Sequence, residues 1–160
     1  MSGARGWMER LGTTFGMGLI AATRVDRGRG RKTITAQVQL AETGETRDDL
    51  PLLGVYGFFA RPRAGADAAV VFLGGNRGAG VVIATGDGRY GPDLAEGEFG
   101  WAHPDGASII FRNGGVIELT APGGFTQTGG PLTHNGVNVG ATHKHSGVQQ
   151  GGSQTGEPLP

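Results

Sequence analysis

Thr33-Ile34-Thr35-Ala36-Gln37-Val38-Gln39-Leu40 sets Ile34, Ala36, Val38 and Leu40 on one side of the chain and the polar residues between them on the other. Successive side chains of a strand point to opposite faces, so this alternation predicts a strand with one covered face and one wet face. The flanking runs share the texture. Leu19 to Val25, Val55 to Ala60, Ala69 to Leu73 and Gly80 to Thr85 are apolar or alternating, separated by Arg/Gly, Glu/Thr/Asp, Arg/Pro/Gly and Gly/Asn clusters.

Five short antiparallel strands in about 70 residues are what an OB-like barrel requires, with an SH3-like Greek-key barrel as the alternative. The barrel is assigned to residues 18–86. Glycine fills 33 of the 160 positions, about three times the usual share of roughly 7%. It is interleaved with β-prone runs such as Val81-Val82-Ile83, which argues for many short strands and tight turns over Pro-Gly disorder. The fold class expected is all-β.

The formal net charge is zero, so bulk electrostatics favours neither nucleic acid nor a membrane surface. Cysteine is absent, which excludes disulfides and thiolate metal sites and leaves histidine as the natural soft ligand. No apolar run approaches the roughly 18 residues of a membrane-spanning helix. Glu9 and Arg10 interrupt the N-terminus where a signal peptide would carry its apolar block.

Trp7, Met8, Leu11 and Phe15 recur at helical spacing, which predicts a short N-terminal helix within residues 1–17. Its apolar face would pack on its own domain or on another subunit. Arg24, Arg27, Arg29, Arg31 and Lys32 form a basic cluster at the first turn of the barrel. Single-strand binders stack bases on exposed aromatics. Here Tyr56, Phe58 and Phe59 lie in an apolar run read as core, and no aromatic interleaves with the arginines. A solvated turn or a contact with an acidic neighbour is the expectation there, with no specific nucleic acid.

Residues 87–96, with Gly88, Gly91 and Pro92 around Tyr90, read as a connector. Beyond it, residues 97–140 repeat strand and glycine. Ser108 to Arg112, Val116 to Thr120, Phe125 to Thr128, Leu132 to His134 and Val137 to Val139 are separated by Asn113-Gly114-Gly115, Pro122-Gly123-Gly124, Gly129-Gly130 and Asn135-Gly136. Spacing this short suits a β-solenoid or prism. From Gly97 to Pro160 the only charged residues are Arg112, Lys144, Glu98, Asp105, Glu118 and Glu157, thin cover for a soluble surface. One such chain would expose strand edges along its length. Three chains wound together close those edges and put the apolar faces on a common axis, which predicts an intertwined trimeric β-helix needle.

Residues 141–160 carry His143-Lys144-His145. In an extended strand, side chains two apart share a face with Cα atoms roughly 6.5 Å apart, so both imidazoles can reach one ion. Two imidazoles make an incomplete site. Threefold symmetry multiplies them to six, an octahedral all-nitrogen set compatible with Fe²⁺, Co²⁺ or Ni²⁺. With every position filled by protein, the metal would be structural. A cupin-type metalloenzyme also begins its motif with His-x-His but needs a Glu three or four residues later, where Gln149 and Gln150 stand. His103, before Pro104, and His134, before Asn135-Gly136, read as turn residues. No catalytic residues are assigned, and the chain is expected not to be an enzyme.

An N-terminal helical stretch, an OB-like domain, a Gly-rich repetitive β segment and a terminal His-x-His follow one another here. In that order they resemble the baseplate central spike proteins of Mu-like and related contractile-tailed phages, also called baseplate assembly protein V. The resemblance implies a homotrimer whose β-helix tapers to a tip holding one iron ion through His143 and His145 of each chain. It implies a virion protein of the tail baseplate, made in the host cytoplasm, docked on hub proteins and piercing the host outer membrane. Lys144 would point outward from the tip, and no fused lysozyme domain is implied.

Overall fold

The computed structural model describes residues 14–144, 146, 147 and 151. The chain divides into two compact units, Met1–Thr120 and Ala121–Pro160. The described residues form an all-β protein with two 3-10 turns and no α-helix.

The first unit holds a five-stranded antiparallel sheet: β1 (Phe15–Asp26), β2 (Thr33–Leu40), β3 (Thr46–Pro51), β4 (Asp67–Phe72) and β5 (Gly80–Gly86), in the order β3-β2-β1-β4-β5. The alternation in β2 holds for its apolar face, where Ala36, Val38 and Leu40 are buried and Ile34 half-buried, while Thr35 on the polar face is buried as well. Ala36, Val38 and Leu40 pack with Ile20, Leu50, Ala66, Ala68, Val70, Phe72 and Val82 into one apolar cluster. Register shifts at Ile20/Ala22, Ala36/Val38 and Ala69/Val70 mark bulges, which bend strands and increase their twist. The two edges of the sheet also meet. Leu52 forms a parallel bridge with Val82, and the Leu53 N–H donates to the Val82 carbonyl at 2.9 Å.

Two sequence expectations are corrected here. The third strand is Thr46–Pro51 and not Val55 to Ala60. In Thr46-Arg47-Asp48-Asp49-Leu50-Pro51 only Leu50 is fully buried, so this edge strand has almost no apolar signature. The run 55–60 is instead a surface loop. Gly57 has φ +86°, the Phe58 N–H donates to the Val55 carbonyl at 2.9 Å, and Tyr56, Phe58 and Phe59 are exposed rather than core. The N-terminal helix is corrected at its end, because Phe15, Gly16 and Met17 belong to β1, paired with Val71, Val70 and Ala69 of β4. Trp7, Met8 and Leu11 lie outside the described residues.

A second sheet, also in the first unit, is a meander of β6 (Phe99–Ala102), β7 (Ser108–Phe111) and β8 (Ile117–Thr120). Its register aligns Phe99-Phe111-Ile117 and Trp101-Ile109-Leu119 as two cross-strand rows on one face. Of these six, five are exposed and Phe111 is half-buried. Phe99 and Phe111 stack at 4.5 Å, and Trp101 meets both edge-on. On the other face Ile110 is buried. Arg112 ties the sheet's ends together, donating to Glu98 at 2.8 Å and to Glu118 at 2.9 Å.

Before this sheet, the connector is held by Arg89, which pairs with Asp87 at 2.6 Å, donates to the Ala64 carbonyl at 3.1 Å and lies over Tyr90. In the second unit, β9 (Thr133–His134) and β10 (Val137–Asn138) form a hairpin. Its turn is Asn135-Gly136, with φ values of 47° and 80°, the positive pair that a two-residue primed turn requires.

Candidate metal centre

The hairpin leads directly into the His-x-His segment. Asn138 organises the exit: its Oδ1 accepts the Gly140 N–H at 2.9 Å and its Nδ2 donates to Thr142 Oγ1 at 2.9 Å. Next, the His143 N–H donates to the Gly140 carbonyl at 3.0 Å, and His143 Nδ1 donates to the same oxygen at 2.7 Å. A neutral imidazole that donates from Nδ1 carries its lone pair on Nε2. That backbone carbonyl contact is the usual way a metal-ligating histidine is oriented. The ring itself is exposed. Its donor set therefore fits a metal on one imidazole nitrogen. Lys144 is exposed, and His145 lies outside the described residues.

Among the described residues no three His, Asp or Glu side chains come together. His134 sits beside the Asn135-Gly136 turn, and its Nε2 meets Asn135 Nδ2 at 3.4 Å. His103 closes the β6-β7 turn, its Nδ1 accepting the Asp105 N–H at 3.2 Å. His103 lies at the start of its turn, whereas His134 ends β9 and only flanks the Asn135-Gly136 turn.

The basic cluster occupies the tip of the β1-β2 hairpin around the 3-10 turn Gly28–Gly30. Asp26 Oδ1 receives the Gly28 N–H at 2.9 Å and shapes the turn. Arg24 is tied down by Asp49 and by Thr35 Oγ1, while Arg27, Arg31 and Lys32 are exposed. Among the described residues no aromatic ring lies against these cations.

The surface feature that sequence reasoning missed is the loop 53–59. Leu53, Val55, Tyr56, Phe58 and Phe59 are all exposed, Tyr56 completely. Gly54 and Gly57, breaking the run at three-residue spacing, were the available signal that it turns rather than extends.

Comparison with known proteins adds three matches. Residues 23–89 match the family model "Bacteriophage Mu Gp45, N-terminal". Residues 141–158, which contain His143, Lys144 and His145, match the "GpV Apex motif". The chain is 34% identical over 92 residues to the "Baseplate puncturing device gp45" of Escherichia phage Mu, covering 57% of this chain and 46% of that protein. In both matched segments this chain resembles the Mu-like baseplate spike proteins. It spans about half the length of the curated relative it matches. Within this chain the two family models fall on the first sheet and on the His-x-His segment, and β6 to β10 lie between them.

Proposed function

We propose that this chain is the structural, cell-puncturing spike of a contractile-tail baseplate: a homotrimer that pierces the host outer membrane, its tip closed by one iron ion. The observation that carries the reading is the apex motif over His143-Lys144-His145, following a stretch of short strands with exposed apolar faces. The relative's printed role, a puncturing device, supports the same assignment. The order β3-β2-β1-β4-β5, with a parallel bridge from the end of β3 to β5, supports an OB-type barrel as the part that docks on hub proteins.

In this reading each chain brings His143 and His145 to the threefold axis, and six imidazoles hold the ion. When bound, the metal supplies a cross-link among three chain ends where fraying would otherwise begin. His143 is pre-oriented for this by the Gly140 carbonyl. Interwound strands resist bending because no chain can leave without disturbing its neighbours. The role is mechanical and no reaction is assigned. The trimer is made in the host cytoplasm, incorporated into the virion, and meets the outer membrane transiently.

Molar mass by light scattering combined with elemental analysis tests the reading: three chains and one iron are expected. Replacing both His143→Ala and His145→Ala removes the metal and leaves the trimer. A monomeric wild-type protein would sink the symmetric site, and one zinc per single chain would reverse it.

A further inference from the structure

The loop 53–59 has a fixed shape and an unusual surface. The Leu53 N–H is bound to Val82, the Phe58 N–H to Val55, and a Cβ at Gly54 would stand 3.2 Å from the Phe58 carbonyl. Five large apolar side chains are thus held out to solvent by a braced backbone. Isolated exposed apolar residues need no explanation, but a contiguous patch marks an interaction site.

We propose that this loop is a clasp between chains, packing on the β8 edge of a second copy against Ile117 and Leu119. The inference rests on the trimer reading above and names the contact that joins neighbouring copies at the β6-β7-β8 sheet. Position supplies the first argument. Phe58 lies 5.5 Å from Trp101, and Trp101 is on β6, an outer strand of the meander. The loop therefore sits at the β6 side of the apolar face, while Ile117 and Leu119 occupy the opposite outer strand. In a closed ring with head-to-tail contacts, one side of each copy meets the other side of the next. The loop of one chain is thereby presented to β8 of its neighbour.

Chemistry supplies the second argument. Neither the loop 53–59 nor the rows Phe99-Phe111-Ile117 and Trp101-Ile109-Leu119 contain a charged residue, so an acidic or phosphate-bearing partner is disfavoured. A loop that inserts into lipid keeps free cations at its base for headgroups. Here the nearby Arg61 donates to Thr23 Oγ1 at 3.1 Å and to the Thr23 carbonyl at 2.7 Å, and Arg63 is paired with Asp105 at 3.0 Å. The flanking cations are committed inside the chain, which favours a second copy over a membrane.

Area supplies the third. At roughly 200 Å² per large apolar side chain, the exposed residues of the sheet face amount to about 500 Å² and those of the loop to about 750 Å². A stable interface takes roughly 800 Å² from each partner. Head to tail, the sheet face of one copy and the loop of the next together offer about 1,250 Å², at the lower end of the roughly 1,200–2,000 Å² in total that specific interfaces bury.

The chain has no cysteine, so introduced thiols report cleanly. In the full-length protein carrying Tyr56→Cys and Leu119→Cys, a short bis-maleimide linker is expected to yield a covalent three-chain species on a denaturing gel, absent from either single variant. Trimers by light scattering with only uncross-linked or internally cross-linked single chains on the gel would overturn the clasp and leave the trimer standing. A monomer by light scattering would overturn both. Tyr56→Ser with Phe59→Ser is the companion variant, because both residues are exposed within one chain and its own core loses nothing. Its assembly is expected to melt at a lower temperature than the wild type, and an unchanged melting temperature would also overturn the clasp.

Discussion

In the sheet of β1 to β5, Val38, Leu40, Phe72 and Val82 face a core and have no exposed surface. In the β6-β7-β8 sheet, the rows Phe99-Phe111-Ile117 and Trp101-Ile109-Leu119 are just as apolar, yet five of the six residues are exposed. The difference lies in what each sheet can fold against. The first curls through three bulges until its edges meet at Leu52 and Val82, so its inner face covers itself. The second has three strands of four residues each, too short to curl back over its own apolar face. One sheet is complete in a single chain, and the other leaves an apolar face open to solvent.

The largest effect expected from breaking this contrast is in the self-contained sheet. Phe72 is fully buried, with the Arg77 guanidinium 5.2 Å from its ring centre. Phe72→Ala removes a ring from a closed core and should cost about 3–5 kcal/mol, read as a shift of the denaturant midpoint. In the open sheet the paired change Ile117→Asp with Leu119→Asp should act only on assembly. Exposed positions normally tolerate substitution within about 0.5 kcal/mol, so a single chain would barely respond. Charges buried between copies would instead dissociate the trimer, measured by light scattering across a dilution series. Retention of the trimer would mean that this face is not the interface.

This asymmetry also explains what was legible in the sequence. Ile34, Ala36, Val38 and Leu40 announced β2 because one face of that strand is buried within the chain. Thr46–Pro51 was hidden because an edge strand with one buried side chain, Leu50, leaves no periodic trace. Val55 to Ala60 misled for the opposite reason: an apolar run that serves a surface reads as core when hydrophobicity is taken to mean burial. β6 was passed over because Phe99-Gly100-Trp101-Ala102 is short and follows a glycine-rich connector. At the candidate site, the His-x-His pattern was plain, and the sequence order around it carried the family. The Asn138 and Gly140 contacts that orient His143 were not legible, since they depend on how the chain turns after β10.

Glycine offers a finer comparison of the two sheets. A Cβ on Gly18 would lie 2.3 Å from the Gln39 carbonyl oxygen and 2.8 Å from Val38 Cγ1; one on Gly100 would lie 2.4 Å from the Ile109 carbonyl oxygen and 2.9 Å from Ile110 Cα. Both strands need backbone where a side chain would collide with the next strand. Gly18→Ala presses on the buried cluster and should cost about 1–3 kcal/mol as overpacking. Gly100→Ala meets a similar clash in a sheet with little behind it, so the strand can shift and the loss should be smaller. Equal losses in paired unfolding measurements would argue that β6 is as firmly seated as β1.

The smallest effect expected is electrostatic and belongs to the open sheet alone. Glu98 is held below the ordinary carboxylate range, first by the Arg112 guanidinium and then by the N–H groups of Ala95 and Asn113. A carboxyl whose pKa is lowered on folding contributes its full stabilisation above the unfolded value, near 4.5, and loses it as pH falls through the folded value. The stabilisation is therefore present at neutral pH and disappears on acidification below the ordinary Glu range. Glu98→Gln should weaken the β6-β7-β8 sheet slightly at neutral pH and remove its acid sensitivity in that window. Trp101 reports on the sheet directly, so its fluorescence in a Trp7→Phe background, followed during unfolding at a series of pH values, separates the two proteins. Parallel pH profiles would show that the Glu98-Arg112 tie does not hold the meander together, leaving its apolar rows to do so.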